Sequence, residues 1–374
     1  ESMRVNKTTG KCTINHLKGS WNLALQTESW AQTDPAIRAD LAAAVRNNAF
    51  LKKGYDLMMT APVVPGIGVP QNYPTIQAAI DAAASGTTIV VAPGTYLENI
   101  TLNKPGIILQ GTDKNSTVIQ GVPGSPVISC DAINGQQTVI RRFRITGGDC
   151  GIRCSATVRG LKISENDITR NLSETGGIGV SLENGASAVI ESNSISYSAI
   201  GVYAMDGMSI NSVTVTGNTF YYCRGAGGGG VILFHPSATI QNNSFAGCWD
   251  GAIDLIGSPG YADTYSLVIG NRLNDNDSWD LGGAMNLDYT VATVRNNIIA
   301  DGNAYDGGNA GIAAFNSTLN LYNNVFYSNA NGDTSRPGSA LYVYLNQDTS
   351  LTAKGNIFAQ NSNLEKCIRS QSLS

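Results

Sequence analysis

From residue 161 onward, apolar and polar residues alternate in short runs, each broken by Asn or Gly. Neighbouring side chains of a strand point to opposite faces, so each run reads as a strand with one buried side. One run recurs. Leu161–Ile168 (Leu-Lys-Ile-Ser-Glu-Asn-Asp-Ile) is followed by related stretches at 189–195, 213–220, 240–245, 268–273, 294–299, 321–326 and 353–358. Each carries an Asn at the same place: Asn166, Asn193, Asn218, Asn243, Asn271, Asn297, Asn324 and Asn356, spaced 27, 25, 25, 28, 26, 27 and 32 residues apart. A period in the twenties with three short strands per period predicts an all-β fold, a parallel β-helix solenoid. The long last interval is assigned to a surface loop around Asp333–Pro337. One coil cannot bury its own apolar face, but stacked coils bury a continuous column. At a coil spacing of about 4.8 Å the repeated Asn amides reach one another, so they are expected to form a structural ladder.

The first third reads differently. Asp34-Pro35 opens a predicted helix whose Ile37, Leu41 and Val45 form one stripe, ended by Gly54 and packed by Trp21 and Trp30. Residues 61–70, rich in Pro and Gly, read as a linker. Tyr73–Gly86 reads as a short helix with Ile76, Ile80 and Ala83 on one side. Strands follow at Thr88–Ala92, Tyr96–Leu102 and Ile107–Leu109. The expected organisation is a non-repeating, partly helical segment 1–66, a β-helix over 67–362 with a cap helix at 74–85, and a polar tail over 363–374. No cap is evident at the C-terminal end. An uncapped solenoid exposes strand edges, so the N-terminal segment, a second subunit in a homo-oligomer, or protein outside this sequence is expected to cover it.

Composition narrows the function. A net charge of −4, a pI near 5.2 and no Lys/Arg stripe exclude a nucleic-acid partner. No run reaches the length of a membrane span. Only 14% of residues are charged, while Asn, Ser, Thr and Tyr abound, which points to an extracellular or cell-surface protein. The chain begins at Glu1, so any signal peptide lies outside this sequence. Seven Cys is an odd number, leaving at least one unpaired. Cys223 and Cys248 each fall five residues after a ladder Asn and should stack, as a disulfide or a thiol pair; Cys150 and Cys154 are close enough to pair locally. Cys12 and Cys367 sit near the two ends, and no Cys group has zinc spacing with His.

The stretch Tyr73–Ala83 (Tyr-Pro-Thr-Ile-Gln-Ala-Ala-Ile-Asp-Ala-Ala) followed by Thr88–Thr101 resembles the opening of right-handed β-helix proteins of the pectin-lyase-like superfamily. The resemblance covers roughly residues 70–362 and implies a right-handed solenoid whose N-terminal end is closed by the helix. It fixes no activity, since members include polysaccharide lyases, glycoside hydrolases, pectin esterases, epimerases, tailspikes and non-catalytic surface proteins. Gly94–Glu98 resembles the first pectin methylesterase motif, but the motifs that should follow are absent, as are the polygalacturonase and epimerase motifs. His235-Pro236 is the nearest approach to the last of these, and His235 reads as an exposed turn residue.

The site must then come from geometry. Aligning the inward pairs Ile200/Val202, Val231/Leu233, Ile253/Leu255, Met285/Leu287, Ile312/Ala314 and Leu341/Val343 leaves two outward columns. The first is Gly201, Ile232, Asp254, Asn286, Ala313 and Tyr342; the second is Tyr203, Phe234, Ile256, Asp288, Phe315 and Tyr344. Aromatic residues at both ends and carboxylates in the middle suit a sugar-binding groove. Asp254 and Asp288 lie one coil and two residues apart, so their Cα atoms should be about 8 Å apart. That spans the carboxyl separations of retaining (about 5–5.5 Å) and inverting (about 6.5–9.5 Å) glycosidases. A second column pairs aromatic residues with acids: Trp249-Asp250, Trp279-Asp280 and Tyr305-Asp306. Asp-Gly turn chemistry is the plain reading of it; a groove lining is the functional one. Asp254, Asp288 and Asp280 are the catalytic candidates. Tyr203, Phe234, Trp249, Trp279, Tyr305, Phe315 and Tyr344 are the substrate-binding candidates. Asp250 and Asp306 are the candidate ligands of a Ca²⁺ ion, the one cofactor the sequence suggests. A lyase base would come from Arg224, Arg272, Arg295 or Lys354, with Arg224 nearest the groove in sequence.

Two functions compete. The leading one is a secreted or surface β-helix that binds a polysaccharide and, if an enzyme, cleaves it as a lyase or glycoside hydrolase. The alternative is a non-catalytic structural, adhesive or fibre-forming surface protein.

Overall fold

The computed structural model describes residues 2–5, 12–15, 66–171, 176–183, 185–204, 211–225, 229–259, 265–279, 282–305, 309–331, 339–345, 350–362 and 368–372. The chain divides after Pro65 into two units. In the first, Ser2–Val5 pairs antiparallel with Cys12–Asn15. The helix expected after Asp34, the loop at Asp333–Pro337, and the side chains of Cys12 and Cys367 lie outside the described residues.

The second unit is a parallel β-solenoid. Its first sheet has twelve strands, from Ile67–Val69 to Ser350–Lys354; the second has eleven, from Gly94–Leu97 to Ile357–Ala359; the third has eleven, from Ile100–Leu102 to Ile368–Ser372. Three sequence readings are corrected by the pairing. Ile67–Val69, placed in the linker, pairs with Thr88–Val91 as the first strand of the solenoid. The alternating run Tyr96–Leu102 is two strands of different sheets, because the chain turns a corner at Glu98-Asn99. Ile368–Ser372, within the segment read as a polar tail, pairs in parallel with Leu341–Leu345.

The cap helix runs Ile76–Ala82 and buries Ile76, Ala79 and Ile80. Thr75 Oγ1 accepts the Ala78 N–H at 3.1 Å, and the Glu98 carboxylate accepts those of Ile76 (2.9 Å) and Gln77 (3.0 Å). At the other end Lys104 Nζ donates to the carbonyls of Ile80, Asp81 and Ala83. The free donors and acceptors of a short helix are thus satisfied by the coil it covers.

From residue 161 onward each coil turns from the first sheet to the second through one left-handed residue followed by a ladder Asn. The left-handed positions are Glu165, Ser192, Gly217, Asn242, Gly270, Asn296, Asn323 and Gly355, with φ between 55° and 71°. Such a conformation costs a non-glycine residue roughly 1–2 kcal/mol. The Asn amides offset it. Asn218 Nδ2 donates to Asn243 Oδ1 (3.1 Å) and to Ile190 O (2.8 Å), and Asn243 repeats the pattern with Asn271 Oδ1 (3.0 Å) and Val215 O (2.9 Å). The chain of bonds runs from Asn166 to Asn356.

The corner from the second sheet to the third repeats the device. Left-handed Arg170, Tyr197, Tyr222, Gly247, Asp275, Asp301, Ser328 and Gln360 precede Asn171, Ser198, Cys223, Cys248, Asn276, Gly302, Asn329 and Asn361. Asn329 Nδ2 donates to Asn361 Oδ1 (2.9 Å), and Asn276 Oδ1 accepts the Cys248 N–H (3.1 Å). This second, interrupted ladder is the place of Cys223 and Cys248. Both are buried free thiols, and the hydrogen bond between them, with burial, pushes the Cys223 thiol well above its ordinary range. Cys150 does not pair with Cys154: they lie on one strand, and Cys154 instead stands beside Cys130 on the neighbouring coil.

Between the sheets the interior is aliphatic, with Phe220 on Phe245 and Phe326 on Phe358 stacked at 4.6 Å. No helix among the described residues is long and apolar enough to cross a membrane.

Asn243→Ala removes a buried amide bonded to both adjacent coils and leaves the Asn218 amide, Val215 O and Asn271 Oδ1 short of partners. It should destabilise the solenoid by about 3 kcal/mol or more, read by chemical denaturation. Native protein treated with a thiol reagent at neutral pH should show no label on Cys130, Cys150, Cys154, Cys223 or Cys248 by peptide mapping, and full labelling once denatured.

Candidate functional site

The third sheet presents the predicted face. Four of its pairings match the sequence alignment: Ile232, Asp254, Asn286, Ala313 and Tyr342 are successive partners, as are Phe234, Ile256, Asp288, Phe315 and Tyr344. Tyr203 is the correction. It pairs with Ile232, two residues from its expected partner, and so heads the first column; its ring meets Phe234 edge-on at 6.0 Å.

The two columns differ in exposure. Ile232, Asp254, Asn286 and Ala313 are buried although they point outward, whereas Phe234, Ile256, Asp288, Phe315 and Tyr344 are half-buried. Asp254 is 4% exposed. Its carboxyl group lies against the Cα of Gly251, where a Cβ would collide with it. Burial, then the charge of Asp250, pushes the Asp254 carboxyl well above the ordinary carboxylate range. Asp288 meets solvent, and its Oδ1 accepts from Asn316 Nδ2 at 3.1 Å. His235, expected to be exposed, is 4% exposed: it takes the left-handed turn position after the third sheet (φ 46°), and its Nε2 lies 2.9 Å from Ser258 Oγ.

A second row stands at the corner before these strands. Trp249 and Trp279 meet edge-on with ring centroids 6.2 Å apart, and Trp279 and Tyr305 are tilted at 5.5 Å. Trp279 is 48% and Tyr305 50% exposed, large values for aromatic rings. The Arg224 guanidinium extends the row, 5.2 Å from the Trp249 ring and 4.1 Å from that of Tyr222, with Nε donating to Gly247 O. Tyr222 in turn packs with Tyr197 and Tyr221. The Trp249 indole N–H is buried with no hydrogen-bond partner. The sequence joined these rings and the Asp288 row into one groove; the structure separates them by the buried Asp254–Asn286 strip.

Asp277 is the residue sequence reasoning missed. Its Oδ1 accepts from Asn303 N (3.1 Å) and Nδ2 (3.4 Å), and its Oδ2 accepts from Tyr305 Oη (3.5 Å). Burial pushes its carboxyl up, against the bonds from Asn303 and the charge of Arg224; its own charge pushes the Tyr305 phenol up. The signal was available: Asp277 directly follows Asn276, a member of the second ladder, which sets its position under the aromatic row.

Asp250 Oδ1 accepts the Trp279 N–H at 3.2 Å. Asp280 and Asp306 lie outside the described residues. Among the described residues no group of three or more His, Cys, Asp or Glu is placed to hold a metal ion.

Residues 150–305 match the family model for a right handed beta helix region. The second unit thus has the fold of a three-sheet parallel β-solenoid, and its middle part carries that family match. No curated protein matches it in sequence. Similar solved structures include an alginate lyase from Paenibacillus sp. str. FPU-7 (16% identity, TM-score 0.42, 80% of this chain and 96% of that one). Another is ORF18 of Geobacillus virus E2 (13% identity, TM-score 0.43, 99% and 68%). A third is the catalytic unit of a GH87 α-1,3-glucanase from Streptomyces thermodiastaticus (15% identity, TM-score 0.36, 83% and 70%). The chemistry of this chain is read from its own residues.

Proposed function

We propose that this β-helix is carbohydrate-active and binds a polysaccharide along the Trp249–Trp279–Tyr305 corner. One observation carries the reading: a row of half-exposed rings crosses successive coils beside a carboxyl group and a guanidinium. Sugar rings have apolar faces that stack on aromatic rings and hydroxyl edges that bond to groups such as Asp277 and Arg224. Coil spacing matches an extended, repeating ligand better than a compact one. The Phe234, Phe315 and Tyr344 row, with Asp288, is a second contact surface on the same sheet. A glycan ligand of this kind puts the working compartment outside the cell. Hydrolysis needs two carboxyl groups reaching one bond. Asp254 is buried and Asp280 lies outside the described residues, so the reading rests on binding.

Affinity electrophoresis against a panel of neutral and acidic polysaccharides tests it. At least one should retard the protein. Trp279→Ala and Tyr305→Ala should each weaken that interaction by at least about tenfold, since truncating a central aromatic contact costs about 2 kcal/mol or more. No retardation by any glycan, with self-association at low concentration, would sink the proposal in favour of a structural or adhesive role.

A further inference from the structure

Two buried oxygens in this face have no donor. Asp254 and Asn286 are register partners on neighbouring strands, about 4.8 Å apart along the solenoid. Both point outward from the sheet, and they are 4% and 7% exposed. Asp254 Oδ1 and Asn286 Oδ1 are each buried without a hydrogen-bond partner. A buried unsatisfied acceptor is costly, and two side by side need one explanation.

We infer that Asp254 is a neutral carboxylic acid whose proton is shared with Asn286, an O–H···O bond to the amide oxygen that braces the turn carrying Trp249. A single proton satisfies both oxygens, because a protonated carboxyl is a donor where a carboxylate is acceptor only. A bound Ca²⁺ is the rival. It takes six to eight oxygen ligands, and among the described residues the carboxylate and amide side chains placed there are these two and Asp250, whose Oδ1 already accepts the Trp279 N–H. Turning the Asn286 amide over is the other rival. It would give Asp254 a donor but leave a buried negative charge beside Asp250.

The surrounding charges favour the proton. The preceding strand offers uncharged Ile232 and the next offers Asn286, with Asp288 one pleat further on. The turn before Asp254 brings Asp250, and no cation among the described residues acts on the group. Burial and Asp250 both oppose ionisation.

Asp254 also touches the machinery of the corner. Its carboxyl group packs on Gly251, whose φ of 109° closes the Trp249–Gly251 turn. That turn supplies Trp249 to the aromatic row and Asp250 to the Trp279 N–H. Asp254 is thus a positioning residue for the proposed glycan surface, and this consequence rests on the binding reading above.

The test compares wild type with Asp254→Asn and Asp254→Ala. Asn keeps the shape, donates an N–H to Asn286 Oδ1 and cannot ionise. Difference infrared spectra of wild type minus Asp254→Asn at neutral pH should show one protonated-carboxyl C=O band. The folded pKa lies above the ordinary 3.8, so above pH 3.8 the native chain holds a proton the unfolded chain has lost. Wild-type stability should therefore fall as pH rises from there to the folded pKa, by about tenfold in the folding equilibrium per pH unit. This slope should vanish in Asp254→Asn, which should bind the retained glycan within twofold of wild type. Asp254→Ala should be less stable at every pH and bind more weakly.

Absence of the carboxyl band would overturn the inference. So would a melting temperature that chelators lower in wild type alone, which would assign a cation. Should Asp254→Asn fail to fold, the shared proton is refuted, since a neutral isostere would not have served. The band and the slope involve no glycan. Their presence without any glycan binding would keep the proton and refute the binding surface instead.

Discussion

The register between coils is held by one buried interaction: the amide of a ladder Asn bonded to the next ladder Asn and to backbone on the coil before. From Asn166 to Asn356 each amide locks a turn whose preceding residue is left-handed, so the bond meets the strain wherever that residue is not glycine. Surface ion pairs also cross coils, among them Arg142–Glu165, Arg144–Asp167 and Lys162–Glu191. They are solvent-exposed and contribute about 0–1 kcal/mol each. They follow the register; the buried amides set it, because a slipped amide would leave several buried groups without partners.

Register then decides what the outer face can do. Parallel strands in step carry each side chain directly over its counterpart, so columns form that no single coil contains. In the Trp249–Trp279–Tyr305 row, made from three turns far apart in sequence and adjacent in space, Trp279 and Tyr305 follow the partners Ser278 and Ala304, whereas Trp249 is the partner of Asp277 and meets Trp279 edge-on. Asp277 is held beneath it by the same corner geometry that aligns Asn276. Where the corner ladder lacks Asn, at Cys223 and Cys248, the turn still takes its left-handed residue, and a thiol pair fills the space of an amide pair.

Burial separates positions that alternation alone treats as equal. Asp254 and Asp288 are both outward by parity and both acidic. The turn at Gly251 lies over Asp254, whereas Asp288 is half-buried. One carboxyl therefore loses its solvent, which pushes it above the ordinary carboxylate range, while the other keeps contact with water. The same effect moved His235 from the exposed turn its neighbours suggested to a buried position bonded to Ser258.

The sequence by itself determined the solenoid, its period, the first Asn ladder, the cap helix and the composition of the outward columns. These depend on strict alternation and on one residue type repeated at a fixed place, and such local signals survive without coordinates. The tertiary structure decided the rest. It split Tyr96–Leu102 at a corner, shifted Tyr203 by two residues, and moved the Cys154 partner from its own strand to the preceding coil. It also divided one expected groove into two rows about a buried strip. The physical reason is the same in each case: corner angles, cross-coil partners and cover over an outward face are set by neighbours about 25 residues away, and no periodicity within a single strand records them.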